Sequence, residues 1–279
     1  GRSSRSPSWS PRRTAPGPAT ARSASAPHRW TCGGKDNFAA DREAAERGLR
    51  ANPDSRIPPR ENRLFLGRAV RYLAEQGIDQ FLDIGTGIPS APHVHHVAQG
   101  INPRSRIVYV DNDPIVLVHA RALLAGHPDG RTDYIDADLR DVDGILRSAV
   151  LNDTLDLNRP VGLLLIAILH FIGDEHDPWS IVERLLAALP AGSYLALSHL
   201  TGDFRPEAWE QVAEVYRRQG VTMKVRSRQQ IERFFTGLDV VDPGLRILPA
   251  WRPDLGERTG RPSPSDPQVS VYGAVARKP

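Results

Sequence analysis

The sequence predicts an α/β fold, in which a mostly parallel β-sheet carries helices on both faces and a short N-terminal cap precedes it. Strand-like apolar runs alternate with amphipathic helical segments from about residue 60 to the end of the chain. The central runs are apolar on both faces, which is typical of parallel strands covered by helices on both sides. A length of 279 residues with 40% hydrophobic content suffices for one such domain with a sizeable core.

The first half of the domain reads as helix and strand in regular alternation. A helix with one apolar stripe comes first and ends at Gly77, a suitable C-terminal cap. The strand "QFLDIG" follows, and then "RIVYVDND", after which Asp113 and Pro114 begin a second helix. A third strand lies near "TDYIDADL". The stripe of the first helix consists of Phe65, Leu66, Ala69, Val70 and Leu73.

The second half continues the alternation and ends in β structure. The fourth strand, "VGLLLIAIL", leads to a helix that begins at Asp177 and Pro178, and the fifth, "SYLALSHL", leads to a helix containing Trp209. Ser227 and Gln230 form a capping-box pattern before the last helix. The segments "LDVVD" with "LRIL" and "VSVYGAVA" predict the closing strands. The apolar positions predicted for the helix after the fourth strand are Ile181, Val182, Leu185 and Leu189.

The N-terminal part differs in composition from the rest. Residues 1–30 contain six arginines, no acidic residue and no Val, Ile, Leu, Met or Phe, so we expect a disordered arm that cannot bury enough apolar surface to fold. Residues 31–59 are expected to form a cap or lid, and residues 60–279 the main domain. The polar cluster Lys35, Asp36 and Asn37 is either a lid over the site or a turn that caps the next helix.

Charge and composition exclude several function classes. Without the six arginines of the arm, 30 basic residues face 33 acidic ones, so the folded part lacks the basic stripe that nucleic-acid binding requires. The longest apolar run, "VGLLLIAILHFI", is too short to cross a membrane. The single cysteine provides neither a disulfide framework nor a thiolate metal site. We therefore expect a cytoplasmic protein that acts on a small molecule rather than on nucleic acid or a membrane.

The candidate site starts at the end of the first strand, in "FLDIGTG". In open α/β sheets, ligands bind beyond the carboxyl ends of the strands. Gly85 and Gly87 allow a tight turn there, but the third glycine of a dinucleotide site is missing. Asp83 would repel a pyrophosphate and attract an ammonium or sulfonium group, which favours S-adenosylmethionine over NAD. We expect Asp83 to lie deep under the turn, bonded to backbone amides.

The next two strands end in further acids. Asp111 ends the second strand, where a carboxylate can accept hydrogen bonds from two ribose hydroxyls. Asn112 follows it as another candidate contact. After the third strand, Asp138 could accept from an adenine amino group and Leu139 could cover the ring. Acids at three successive strand ends predict a nucleoside site.

Together, "FLDIGTGIP", "VYVDNDP" and "DADLRD" resemble the nucleotide-binding motifs of class I S-adenosylmethionine-dependent methyltransferases. With "GGKDNFAAD" and "NRLFLGRAVRYL" added, the chain resembles a subfamily known as S-adenosyl methyltransferases, from about Gly33 to Lys278. The resemblance implies a Rossmann-like, seven-stranded sheet in the order 3-2-1-4-5-7-6 with the seventh strand antiparallel. It also implies S-adenosylmethionine as cofactor, methyl transfer to an unidentified acceptor, and Ala167 as a further cofactor contact.

The histidines leave alternatives open. His170, near the end of the fourth strand, could orient or deprotonate the nucleophile, or it could be a hydrogen-bonded residue of the pocket wall. His93 and His96 share a helical face, but no carboxylate completes a ligand set, so no metal is expected. Because no pair of residues that would activate a nucleophile can be read from the sequence, a regulatory module that binds the cofactor without catalysis stays an alternative.

Overall fold

A computed structural model describes residues 53–87, 93–113, 116, 126–218, 220–256 and 262–279. The predicted arm at residues 1–30, the cluster Lys35, Asp36 and Asn37, and most of the helix expected after Asp113 lie outside these ranges. What the sequence predicts for those segments stays a prediction.

The described strands form one mostly parallel sheet, as predicted. The strands are β1 Gln80–Ile84, β2 Arg106–Asp111, β3 Arg131–Asp136, β4 Gly162–Ile166, β5 Tyr194–Leu200, β6 Asp239–Val240, β7 Arg246–Ile247 and β8 Val271–Arg277. Their order in the sheet is β3-β2-β1-β4-β5-β8-β6, with β7 also paired to β8. The first five strands are parallel to one another, and β8 runs antiparallel to β5, β6 and β7.

The strand order agrees with the order that the family resemblance implies, except that the sheet has eight strands where seven were expected. The long last strand β8 occupies the antiparallel position beside β5, and two short strands, β6 and β7, both pair with it. Pro243 lacks an N–H for the sheet ladder, and Gly244, at φ +80°, turns the chain with its amide bonded to the Val241 carbonyl (2.8 Å). This turn separates β6 from β7.

The helices agree with the predicted segments in type and approximate position. All five residues of the predicted stripe of α1 are at most 4% exposed, and Gly77 follows the helix at φ +88°. Asp177 caps α5 through the Ser180 amide, although α5 ends before Leu189. The capping box of α7 is also present. The helices are α1 Ile57–Glu75, α2 Val94–Ile101, α3 Val142–Arg147, α4 Ala149–Thr154, α5 Pro178–Ala187, α6 Pro206–Arg217, α7 Arg228–Glu232 and α8 Asp266–Val269.

Helix α1 is held against the sheet by apolar packing and by one buried arginine. Phe65 packs edge-on against Trp251, with ring centroids 5.2 Å apart. Arg68 donates from Nε to the Trp251 carbonyl (2.8 Å) and from a terminal nitrogen to the Leu248 carbonyl (2.6 Å). These contacts fix the middle of α1. None of the helices in the described ranges is both long and apolar enough to span a membrane.

Candidate functional site

The turn after β1 is shaped by its two predicted glycines. Gly85 has φ +79°, and a Cβ built on it would lie 2.5 Å from the Ile168 side chain, so only glycine fits without a shift. Gly87 has φ +60°, and no described atom lies within 4 Å of a Cβ built there. The turn is therefore closed on the side of Ile168, and among the described residues nothing covers Gly87, so these residues leave room for a ligand to approach the backbone.

Asp111 ties the end of β2 to this turn. Its Oδ2 accepts from the Gly87 amide (2.7 Å) and its Oδ1 from the Asp113 amide (3.0 Å). The side chain is buried, and this burial raises the pKa of Asp111 against the opposing effect of the two amides. Each carboxylate oxygen keeps a second lone pair, so contact with two ribose hydroxyls stays a prediction.

Asp83 is buried as expected, at 6% exposure, but its bonding differs from the expectation. None of the described residues donates a hydrogen bond to its carboxylate, because the Gly87 amide binds Asp111 and the Gly85 amide binds the Val110 carbonyl (2.8 Å). Burial raises the pKa of Asp83 to about 7, and the Arg63 guanidinium opposes the rise.

A buried carboxylate without a donor is costly unless a partner joins it. The residues present therefore fit a cationic ligand beside the glycine turn, as the methionine portion of S-adenosylmethionine would be. Asp83 pairs in register with Tyr109 on β2. Burial, with Asp83 nearby, also raises the pKa of that phenol, so it stays neutral.

Asp138 and Asn112 form a second polar group beyond β3. Arg140 binds the Asp138 carboxylate with its Nε (2.9 Å) and a terminal nitrogen (2.5 Å), and its bond lowers the pKa of Asp138. The Asn112 amide donates to the same carboxylate (2.9 Å). Leu139 is buried in the hydrophobic core. The structure brings Asn112 and Asp138 together, and their roles at an adenine stay predictions.

The chain leaves β4 in an unusual conformation at Ala167. This residue has φ +55°, and its amide is bonded to the Ser198 carbonyl (3.2 Å) and to the Ser198 Oγ (3.0 Å). His170 lies in the following turn of 3₁₀-helix and is buried, with its ring 4.4 Å from that of Phe171 and 5.6 Å from that of His199. A left-handed alanine is costly and is often found at functional sites.

A buried arginine fixes the segment that contains His170. Arg226 donates to the carbonyls of Leu169 (3.0 Å) and Ile172 (2.9 Å) and to the Asp174 carboxylate (2.7 Å). It also donates to Nε2 of His199 (2.9 Å), whose Nδ1 donates to a backbone carbonyl. Burial, and to a smaller extent the positive charge of Arg226, lowers the pKa of His199 to about 3, so this histidine is neutral. Arg226 thus connects the carboxyl ends of β4 and β5 through hydrogen bonds to both.

Three histidines at the beginning of α2 lie close together, with ring centroids 4.2 to 5.3 Å apart: His93, which precedes the helix, and His95 and His96 within it. His95 shares a hydrogen bond with the Tyr109 hydroxyl (2.8 Å), and burial lowers its pKa to about 4. Within the described ranges, no group of three or more His, Cys, Asp or Glu side chains is placed to hold a metal ion.

Four residues near the site were not predicted from the sequence. Asn62 and Arg63 lie on α1 outside its apolar stripe, and Ser198 and Arg226 come from distant parts of the chain. The only sequence signal for the first two was polar character at the beginning of a helix, which does not separate a binding residue from a solvated one.

Comparison with known proteins agrees with the site. The model of the S-adenosyl methyltransferase family matches residues 18–279. A duf574 family protein from Streptomyces avermitilis is 45% identical, with 93% of this chain and 98% of the other covered and a TM-score of 0.88. A candidate methyltransferase from Thermobifida fusca is 36% identical, with 91% of this chain and 94% of the other covered and a TM-score of 0.81.

A more distant structure supports the fold alone. The plantazolicin methyltransferase BpumL, solved in complex with S-adenosylhomocysteine, is 11% identical, covers 91% of this chain and 95% of its own, and has a TM-score of 0.50. A search of curated proteins found no match. The family match over most of the chain confirms the resemblance and the cofactor inferred from the motifs. This chain belongs to the S-adenosyl methyltransferase family, with S-adenosylmethionine as its cofactor.

Proposed function

We propose that the protein transfers the methyl group of S-adenosylmethionine to an oxygen, nitrogen or carbon nucleophile of a small-molecule acceptor and releases S-adenosylhomocysteine. The observation that carries the proposal is the buried Asp83 carboxylate at the end of β1, next to the glycine turn. Among the described residues, none donates a hydrogen bond to it and none lies within 4 Å of a Cβ built on Gly87. When bound, the cofactor would supply an electrophilic methyl group: an electron pair of the acceptor would form the new bond, the sulfur would keep the electrons of the broken bond, and the acceptor would lose its proton to a base or to solvent.

The residues of the chain contribute charge and fixed geometry to this reaction. Asp83 and Asp111 offer buried negative charge to a cationic ligand, and this attraction is stronger in a dry site than in water. Arg226 holds the segment after β4 in one position through three hydrogen bonds and ties it to β5 through a fourth, to His199. A fixed wall of this kind supports alignment of a nucleophile at roughly 3 Å from the methyl carbon, which supplies much of the catalysis in such transfers.

His170 is the candidate catalytic residue in the braced segment after β4. It lies in a buried turn, packed against the rings of Phe171 and His199. This packing favours a histidine held in one orientation, so that it either accepts a proton from the acceptor or shapes the wall of the pocket. Both roles require the same fixed ring, and the acceptor decides between them.

A small-molecule acceptor is favoured by the charge of the chain. Outside residues 1–30 the acidic residues outnumber the basic ones, 33 to 30, so a nucleic-acid backbone would meet no net attraction. The described exposed surface also lacks a large apolar patch, since its exposed large apolar residues are the scattered Ile101, Val150 and Val240.

The test is transfer of a radiolabelled methyl group from S-adenosylmethionine to a panel of phenols, carboxylic acids and amines. We expect label in at least one acceptor class and an equal amount of S-adenosylhomocysteine. Asp111→Ala, which weakens cofactor binding, is the control and should transfer little at low cofactor concentration. Cofactor binding without transfer to any class would contradict the proposal and favour the regulatory module.

A further inference from the structure

A polar chain of contacts connects helix α1 to the end of β4. The Ala167 amide donates to the Ser198 Oγ (3.0 Å), and the Ser198 hydroxyl donates to the Asn62 Oδ1 (2.5 Å). Ala167, at φ +55°, directly follows β4. The Asn62 side chain, 136 residues away in sequence from Ser198, is thus fixed against the carboxyl end of the sheet.

These contacts also determine which way the Asn62 amide faces. Ser198 is fully buried, so its hydroxyl proton needs an acceptor, and its oxygen already accepts from Ala167. Only the Oδ1 of Asn62 can accept, which places that oxygen toward Ser198 and the amide nitrogen away from it. No described residue accepts a hydrogen bond from this nitrogen, and the side chain is only partly buried.

The contacts of Asn62 lead along the chain toward the glycine turn. Ala167 is followed by Ile168, whose side chain packs directly over Gly85. The neighbouring residue on α1, Arg63, is close enough to the first strand to oppose the rise in the pKa of Asp83. Helix α1 therefore brings the Asn62 amide and the Arg63 guanidinium toward the strand ends where Asp83 lies.

A carboxylate at Asp83, together with a hydrogen-bond donor and a positive charge on α1, is suited to bind a zwitterionic ligand. The methionine portion of S-adenosylmethionine has an ammonium group and a carboxylate on one carbon, and Asp83 suits the ammonium. We propose that Asn62, oriented by Ser198, donates its amide hydrogen to the carboxylate of the methionine portion and so selects ligands that have it. The proposal rests on cofactor binding at the glycine turn and extends it to one residue that the nucleotide-binding motifs do not include.

The test compares two ligands that differ in this portion. S-adenosylhomocysteine has the amino acid group, whereas 5′-methylthioadenosine has the same nucleoside and sulfur without it. Asn62→Asp keeps the size and the acceptor for Ser198, but replaces the donor with a charge that repels a carboxylate. Calorimetry on the full chain should show S-adenosylhomocysteine affinity reduced at least about tenfold, and methylthioadenosine affinity changed by less than about twofold.

Two further variants make the comparison specific. Asn62→Ala removes the donor without adding charge, so we expect a smaller loss, again only for S-adenosylhomocysteine. Asn152→Asp makes the same amide-to-acid change at an exposed site on α4 and should alter neither affinity. Melting curves report whether each variant is folded.

Unchanged S-adenosylhomocysteine affinity in both Asn62 variants, or equal losses for the two ligands, would overturn the assignment. Because every measurement is of binding, a failure here is distinct from a failure of methyl transfer. The wild-type protein that binds S-adenosylhomocysteine without transferring a methyl group would leave this inference intact.

Discussion

Replacing Asp83 with asparagine should stabilise the ligand-free protein at alkaline pH while weakening cofactor binding. The pKa of Asp83 is raised from 3.8 to about 7 in the folded protein, with burial as the largest cause. A folded-state pKa above the unfolded value means that the folded protein holds the proton more tightly. The contribution of Asp83 to stability is therefore largest at acid pH, falls as the pH rises from about 4 to about 7, and is smallest above that window.

The magnitude follows from the two pKa values. At 1.36 kcal/mol per pKa unit, ionised Asp83 costs the folded protein about 4 kcal/mol above pH 7. A buried asparagine amide without partners costs about 1 to 3 kcal/mol itself, at every pH. The pH dependence is thus more informative than the absolute value. The free energy of unfolding of Asp83→Asn, relative to wild type, should rise by about 2 to 3 kcal/mol between pH 5 and pH 8.

The assay is urea unfolding of both proteins across this pH range without cofactor. Asp143→Asn, an exposed carboxylate on α3, is the matched control for the loss of one acid. A relative stability of Asp83→Asn that is flat with pH, or that falls as pH rises, would refute the reasoning. It would mean that Asp83 has a hydrogen-bond donor in the free protein or is already ionised at acid pH.

Three further predictions concern the turn, the ribose acid and the arm. Asp111→Ala should lower S-adenosylhomocysteine affinity at least about tenfold, since a charge-assisted hydrogen bond contributes about 1.5 to 3 kcal/mol and 1.4 kcal/mol is a factor of ten; unchanged calorimetric affinity would remove the ribose assignment. Gly85→Ala should cost about 2 kcal/mol or more, because strain at φ +79° adds to the contact with Ile168. Gly77→Ala, at φ +88° and with no described atom within 4 Å of the added Cβ, should cost about 1 kcal/mol; equal costs in urea unfolding would contradict the close approach. Deleting residues 1–30 should leave the melting temperature nearly unchanged, and a clear drop would show that the arm packs on the domain.

The sheet and the glycine turn were predictable because their signals are local. A strand that ends in an acid and is followed by two glycines is typical of a nucleotide-binding turn. Parallel strands bring their carboxyl ends to one edge of the sheet, where the ligand binds. The strand order came from the family resemblance, since residue patterns alone do not fix it. The Pro243-Gly244 pair is also a local turn signal. It was not used to divide "LDVVD" and "LRIL" into two separate strands.

The unpredicted part of the site depends on contacts between distant segments. Asn62 and Ser198 meet across 136 residues, and Arg226 reaches Leu169 across 57. Nothing in the sequence around these residues separates a buried polar contact from a solvated surface residue. The absence of a described hydrogen-bond donor for Asp83 was also not predicted. It depends on whether Asp83 or Asp111 accepts the hydrogen bond from the Gly87 amide, and in the structure Asp111 does.

The central claim is that the glycine turn and the acids around it bind S-adenosylmethionine and not a dinucleotide. The most direct measurement is calorimetric titration of the full chain with S-adenosylhomocysteine and, separately, with NAD. We expect saturable binding of one S-adenosylhomocysteine per chain and no measurable binding of NAD. Tighter binding of NAD, or no binding of S-adenosylhomocysteine, would contradict the account.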